Sequence, residues 1–399
     1  MARDINPPRG MRDFLPLEKA KRESVLGVIR GVYSSFGFQE VETPALENLD
    51  RLTSGQGGDN EKLAYRVMKR GAELDSALED MSSVDALADL GLRFDLTVPL
   101  TRFYATNRNE LPTVFKAIQM GPVWRAERPQ KGRYRQFVQC DIDIIGDDSV
   151  LAEIELLNAS LAALDALGLN KAVIRVNHRE LLTSLLDGFG VKAEDRSTAM
   201  ITIDKLDKIE ATGVVNELRE RLGDEIADKA QAWLTKADTT VPELLTPIFS
   251  AVSAGRLRFD PTLVRGMGYY TGTIFEIEMP GTGSAIGGGG RYDGMVGKWL
   301  GTDVPAVGIS IGFERVVELV ETQSKTSGVV LVLEDSSLEV INKAVAFQKQ
   351  LIASGKAVRL EIKPKKLNVL LDSMFEAGFS QFALVSSGAT ELTFKDLGK

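Results

Sequence analysis

Apolar positions recur every three to four residues over 17–36, where Leu26, Ile29, Tyr33 and Phe36 fall on one helical face and Gly37 marks the stop. A strand is predicted from there to Pro44. Residues 53–62, TSGQGGDNEK, read as a mobile Gly-rich loop, and LRFDLTVPLTRFYA mixes a strand with the start of a helix. Two further strands are predicted over roughly 113–125 and 133–145. The second alternates, with Val138, Cys140, Ile142 and Ile144 on one face and Arg133, Arg135, Phe137, Gln139, Asp141 and Asp143 on the other. That polar face grades from cationic through aromatic to anionic. A solvated sheet face and a surface for an elongated ligand with phosphate, ring and cation both fit it. From Phe137 to Asp143 is at most about 20 Å of strand, which is ligand-sized.

Residues 149–168 form an Ala/Leu-rich helix and 171–177 a strand, KAVIRVN. From about 180 to 255 the pattern is helical and rich in charge, as expected of a module inserted between two parts of one domain. Strands return with GTIFEIEMP, in which Thr273, Phe275, Ile277 and Met279 alternate with Ile274, Glu276 and Glu278. Beyond the helix near GFERVVELVE, the stretch TQSKTSG (322–328) is a polar linker. The tail then alternates strand VVLVL, helix 337–354, strand AVRLEI, helix 364–377 and strand FALVS. Such alternation implies a small α/β domain with right-handed crossovers. Ser336 and Glu339 make a capping box for its first helix.

With 399 residues, 44% hydrophobic and 26% charged, the chain has the composition of a soluble protein of two or three domains. A net charge of -8 argues against non-specific coating of nucleic acid, though not against a local basic footprint on a chosen RNA. Against that acidity, RAERPQKGRYRQF (125–137) sets Arg125, Arg128, Lys131, Arg133 and Arg135 around a Pro/Gly turn, which points to an anionic ligand. The single cysteine, Cys140, cannot form an intrachain disulfide and fits a reducing compartment. No apolar run reaches the roughly 18 residues of a membrane span, and MARDINPPRGMRDFLP has no apolar signal core, so the expectation is a cytoplasmic protein. The single histidine, His178, leaves no Ser/His/Asp triad and no His/Cys zinc cluster. It reads as a strand-end residue with ordinary hydrogen bonds.

Three further stretches bear on chemistry. LVRGMGYYTGTIFE places Arg265, Tyr269 and Tyr270 at a Gly-punctuated turn into a strand; GGGGRYDG (287–294) brings bare backbone close to something; PAVGISIGFERVVEL opens a helix carrying Arg315. Alone, each is equally a hairpin, a flexible turn or a helix-surface arginine. No P-loop sequence exists, and GTGSAIGGGG lacks the spacing of a dinucleotide fingerprint. If ATP binds, arginines must hold its phosphates, and Arg125, Arg265 and Arg315 offer forked donors for that purpose.

Taken in order, the helix–Gly–strand–Pro segment, the strand–basic turn–strand unit and the GFER helix resemble motifs 1, 2 and 3 of class II aminoacyl-tRNA synthetases. The wording ERPQKGRYRQF, LVRGMGYYTG and GGRYDG resembles the histidyl-tRNA synthetase family over nearly the whole chain. The resemblance implies an α+β fold: a class II antiparallel sheet with flanking helices over 1–325, a helical insertion at about 180–255, and a small α/β domain over 326–399 similar to the family's anticodon-binding domain. It implies histidine activation by ATP with Mg²⁺, followed by transfer to the 3′ end of tRNA(His), in a homodimer that buries residues around 9–50.

By the same resemblance, Arg125 holds the α-phosphate and substrate carboxylate, Phe137 stacks on adenine, Arg315 binds ATP, and Arg265 of the histidine site contacts the α-phosphate. Asp95, Thr97 and Gln139 recognise the α-amino group. Asp143 and Tyr270 hydrogen-bond the imidazole, with Tyr269 and Tyr292 shaping the pocket, and Arg128 and Gln130 face the acceptor end of tRNA. No residues are assigned to a metal. The sequence departs from the family's pattern at Gly268, where an aspartate is usual, and at Val138. Its last domain reads as shortened, ending at Lys399. The alternative is the family's non-catalytic relative, the regulatory subunit of ATP phosphoribosyltransferase. That relative typically lacks the anticodon-binding domain and has eroded motifs, whereas Arg125, Arg265 and Arg315 are all present here.

Overall fold

In a computed structural model of the chain, residues 5–53, 63–79, 84–129, 132–236, 238–253, 255–265, 270–321 and 328–398 are described. The expected loop at 53–62 and linker at 322–328 lie almost wholly outside them. Two compact units result, Met1–Arg12 with Val25–Val320, and Asp13–Ser24 with Glu321–Lys399. Among the described residues no helix is long and apolar enough to cross a membrane.

The helix Pro16–Ser35 begins and ends one residue before its predicted bounds. It stops because Gly37 takes a left-handed conformation, φ +82°, that glycine adopts without strain. Strand β1 (Gln39–Glu40) follows, then β2 (Leu46–Asn48), β3 (Tyr65–Met68) and β4 (Ala88–Leu92), which form a small sheet ordered β2-β4-β3. Helix Thr97–Asn107 leads to β5 (Phe115–Trp124) and β6 (Gln136–Ile145), helix Leu151–Ala166 and β7 (Val173–His178). The expected helical module comes next, with helices Arg179–Phe189, Arg196–Ile203, Leu206–Leu222 and Asp224–Thr235 among its elements. The chain returns through β8 (Leu257–Phe259), β9 (Thr273–Glu278), β10 (Gly287–Arg291) and β11 (Ala306–Gly312) to helix Phe313–Leu319.

These strands form an eight-stranded sheet, β1-β5-β6-β11-β10-β9-β7-β8. Neighbours from β5 to β7 are antiparallel, and only the edge pairs β1–β5 and β7–β8 are parallel. One face is apolar. Cys140, Ile142 and Ile144 pack with Phe275, Ile277, Ile309 and Ile311 against Val25, Ile29, Tyr33, Leu156, Leu157 and Leu164. Burial of each large aliphatic side chain there is worth about 1.5–3 kcal/mol. Polar residues at alternate positions on β6 therefore point to the other face, where a cavity lies. The helical module has its own core, Leu182, Leu186, Phe189, Met200, Ile203, Val214 and Leu218, which also takes in Leu263 and Val264.

In the second unit β12 (Val329–Leu333), β13 (Val358–Ile362), β14 (Gln381–Val385) and β15 (Lys395–Asp396) are ordered β13-β12-β14-β15. Every residue of β12 is buried, because the sheet is covered on both faces. Val329, Leu331 and Leu333 pack on Val340 and Ala344 of helix Leu338–Ala353, while Val330 and Val332 pack on Met374 of helix Leu367–Glu376. Two details differ from expectation. The capping residue is Ser337, not Ser336: its hydroxyl accepts from Val340 N, with Asp335 holding Ser337 N in turn, so Glu339 has no reciprocal role. The unpredicted β15 pairs antiparallel with β14 and is too short to show a period.

Candidate active site

The polar face of the large sheet floors a cavity of about 490 Å³. Its lining brings together Asp95, Thr97, Arg125, Phe137, Gln139, Asp143, Arg265, Tyr270, Tyr292 and Arg315, which are far apart in sequence. Arg128 is exposed and outside this lining. Gln130, Tyr269 and Gly268 lie outside the described residues.

The cavity depends on missing side chains. GGGG is not the turn its composition suggests but strand β10, in the interior of the sheet between β9 and β11. Glycine in a strand marks close approach by another group. A Cβ on Gly288 would stand 1.9 Å from Arg265 Nη1, and one on Gly290 would stand 3.1 Å from the Tyr270 ring. On β11, a Cβ on Gly308 would fall 1.9 Å from Asp143 Oδ1. These bare positions let three functional side chains lie flat over the sheet.

The carboxyls of Asp95, Asp141 and Asp143 line the cavity. Asp143 is buried and its Oδ1 accepts from Tyr292 OH at 2.6 Å. Burial pushes its carboxyl up to about 7, against the lowering effect of that hydrogen bond. Burial also raises Asp95 to about 6, opposed by Val98 N–H, 3.1 Å from its Oδ1, and by the Arg125 charge. Asp141 is the cavity acid that sequence reasoning passed over. Burial and the neighbouring Asp143 push it well above the usual carboxylate range. It sits midway between Gln139 and Asp143 on the alternating face, so parity was a signal for it. Gln139 Oε1, Asp141 Oδ1 and Asp143 Oδ2 are buried acceptors with no protein donor among the described residues. Such a group is costly unless something donates to it, so these positions fit a cationic or N–H-bearing ligand.

Arg125, Arg265 and Arg315 line the same cavity. Arg125 Nε donates to the Phe94 carbonyl at 3.0 Å, and its guanidinium lies 5.1 Å from the Phe137 ring centre. Arg265 Nη1 donates to the Gly287 carbonyl at 3.0 Å. Arg315 donates to the Ala285 carbonyl, and its pKa is lowered by burial and then by the charges of Arg133 and Arg265. Like charges gathered this closely are relieved by an anion.

The basic turn is less open than its composition suggests. Arg135 Nε donates to the Glu127 carbonyl at 3.0 Å, its backbone N–H donates to Gly10 O at 2.8 Å, and Arg133 pairs with Glu127 at 3.2 Å. Arg12 lies over the Tyr134 ring and binds Glu314 at 2.6 Å, while Glu314 Oε1 accepts from Val138 N. The Arg12–Glu314 and Val138–Glu314 contacts join residues 302 and 176 positions apart, and no local pattern announces them. His178 ends β7 and caps the next helix, its Nδ1 accepting from Glu180 N at 3.1 Å.

An antiparallel sheet whose cavity gathers carboxyls and arginines, with the three motifs around it, defines a class II aminoacyl-tRNA synthetase catalytic fold. A family profile described as histidyl-tRNA synthetase matches residues 10–316. The chain is 52% identical over 97% of its length to the histidine–tRNA ligase of Leifsonia xyli subsp. xyli, covering 96% of that protein. It is 40% identical to the probable histidine–tRNA ligase of Tropheryma whipplei (strain Twist), over 95% of each. Its fold matches the crystal structure of histidyl-tRNA synthetase from Nostoc sp. PCC 7120 with a TM-score of 0.78 at 27% identity, over 99% of this chain and 95% of that one. An ATP phosphoribosyltransferase regulatory subunit/histidyl-tRNA synthetase from Bacillus halodurans C matches at 0.74 and 20% identity, a likeness of fold alone. The chain belongs to the histidyl-tRNA synthetase family.

Proposed function

We propose that this protein is a histidine–tRNA ligase, which joins L-histidine to AMP and passes it to tRNA(His). The observation that carries this reading is a single cavity lined both by the hydrogen-bonded pair Asp143 and Tyr292 and by Arg125, Arg265 and Arg315. Asp143, with Tyr270, reads the imidazole; Asp95, Thr97 and Gln139 meet the α-ammonium; Phe137 stacks on adenine. The nucleophile is the substrate's own carboxylate oxygen. It attacks the α-phosphorus, the bond to the β-phosphate oxygen breaks, and pyrophosphate leaves. Arg125 and Arg265 bring carboxylate and phosphate together against their mutual repulsion and stabilise the charge that develops at phosphorus. In the second step a ribose hydroxyl at the tRNA 3′ end attacks the histidyl carbonyl carbon and AMP leaves. Tyr269, Arg128 and Gln130 complete the assignment, the last two toward tRNA.

Among the described residues no group of three or more His, Cys, Asp or Glu could hold a metal ion. A magnesium ion is read as entering with the nucleotide substrate, where it would offset triphosphate charge. Residues 1–325 are read as the catalytic domain and 326–399 as anticodon-binding, in a cytoplasmic homodimer. The regulatory-subunit alternative is weaker, since the phosphate-facing arginines and the second unit are all present. The test is ATP–pyrophosphate exchange with purified protein. Exchange that depends on histidine is the expected result, and exchange absent with every amino acid would overturn the reading.

A further inference from the structure

A charged row crosses the sheet beside the cavity. Arg175 on β7 stands opposite Glu276 on β9, which stands opposite Gly288 on β10. Directly opposed residues project from the same face, so Arg175, Glu276 and the bare Gly288 backbone share one surface. Arg265 occupies the space a Gly288 side chain would fill. Its Nη1 is 3.2 Å from Glu276 Oε2, and the other oxygen, Oε1, is 2.8 Å from Arg175 Nη1. Arg175 Nε donates to Asp260 Oδ2 at 2.7 Å. Asp260 Oδ1 in turn accepts from Thr262 N and Oγ1 at 2.9 and 2.6 Å. The chain of alternating charges thus closes on itself, because Asp260 begins the segment that carries Arg265. Asn177 Nδ2 holds the middle of that segment at the carbonyls of Pro261 and Leu263, and Leu263 and Val264 are buried in the core of the helical module.

An arginine carries about 2 kcal/mol of rotamer entropy, so a guanidinium at the edge of a cavity needs fixing before it can act. Glu276 does not line the cavity. It acts on Arg265 from behind, and the Arg175 charge keeps it from being satisfied by Arg265 alone. We infer that Glu276 and Arg175 are positioning residues for histidine activation: Glu276 fixes the Arg265 guanidinium over the Gly287–Gly288 backbone, and Arg175 fixes both Glu276 and the start of the segment that carries Arg265. This rests on the proposed role of Arg265 at the phosphates.

The test is a double-mutant cycle read by ATP–pyrophosphate exchange, with thermal midpoints measured on every protein. In the wild-type background Glu276→Gln lowers the exchange kcat by about tenfold to a hundredfold, as misplacement of a catalytic group does, with the histidine KM changed less than about twofold. In an Arg265→Ala background the same substitution adds less than about twofold, because there is no longer a guanidinium to place. Arg175→Lys keeps the charge but loses the fork. It follows the same pattern with a smaller loss, and it carries the test if Glu276→Gln does not fold. Losses that multiply independently in the two backgrounds, or a fall in thermal midpoint with unchanged kcat per folded molecule, would overturn the inference. A wild-type protein without histidine-dependent exchange would instead remove the functional reading beneath it.

Discussion

At the scale of single residues, the consequence most open to measurement is the position of Asp143. Its carboxyl is raised to about 7 in the folded protein by burial. An acid raised on folding contributes stability that is fully present below its unfolded value near 4 and lost as pH climbs through 7. Asp143→Asn should therefore raise the thermal midpoint at pH 8 by several degrees, with the gain vanishing toward pH 4, while histidine dependence of activation is lost. Calorimetry across that range checks it, and a midpoint that falls at pH 8 would mean the charged form is held by groups other than Tyr292. Arg128 is the contrasting case. Exposed and outside the cavity lining, it should matter little to activation. Arg128→Ala should weaken charging of tRNA(His) more than pyrophosphate exchange and shallow the salt dependence of tRNA binding by about one unit. Equal losses in both half-reactions would return it to the ATP end.

At the scale of elements, the alternation of β6 was legible because a strand covered by helices on one face must show a period of two. The same parity delivered Gln139 and Asp143 to the cavity and would have delivered Asp141. Strand β10 was not legible. Glycine has low strand propensity, and tertiary neighbours explain its use there, Arg265 at Gly288 and Tyr270 at Gly290. The Arg12–Glu314–Val138 brace was equally hidden, since nothing in either segment specifies a partner so remote. The Ser336/Ser337 choice turned on backbone angles that two adjacent serines do not encode. Bare strands make a direct prediction. Gly308→Ala places a methyl 1.9 Å from Asp143 Oδ1 and 3.2 Å from the Tyr292 ring, and buried Asp143 cannot swing far. Overpacking of about 1–3 kcal/mol at that point corresponds to about a tenfold rise or more in the histidine KM, with the ATP KM nearly constant. Initial-rate titrations of both substrates decide it; a loss confined to ATP would relocate the histidine pocket.

At the scale of the whole molecule, the alternation of strands and helices in the tail foretold the parallel core of the second unit, because βαβ chemistry repeats locally. Assembly has no such local sign. The homodimer proposed here should scatter light as twice 43.5 kDa, and an active species of 43.5 kDa alone would refute it. The protein also contains its own clock for opening. Cys140, the chain's single cysteine, is fully buried on β6, on the face opposite the cavity-lining Gln139 and Asp141. A thiol reagent can reach it only when the strand separates from the helices behind it, so its labelling rate counts excursions out of the native state. Ligand bound on one face must then slow chemistry on the other. Histidine and ATP at about ten times their dissociation constants should lengthen the labelling time by about tenfold or more. Labelling indifferent to both would show that β6 parts from its helices without disturbing the site it floors.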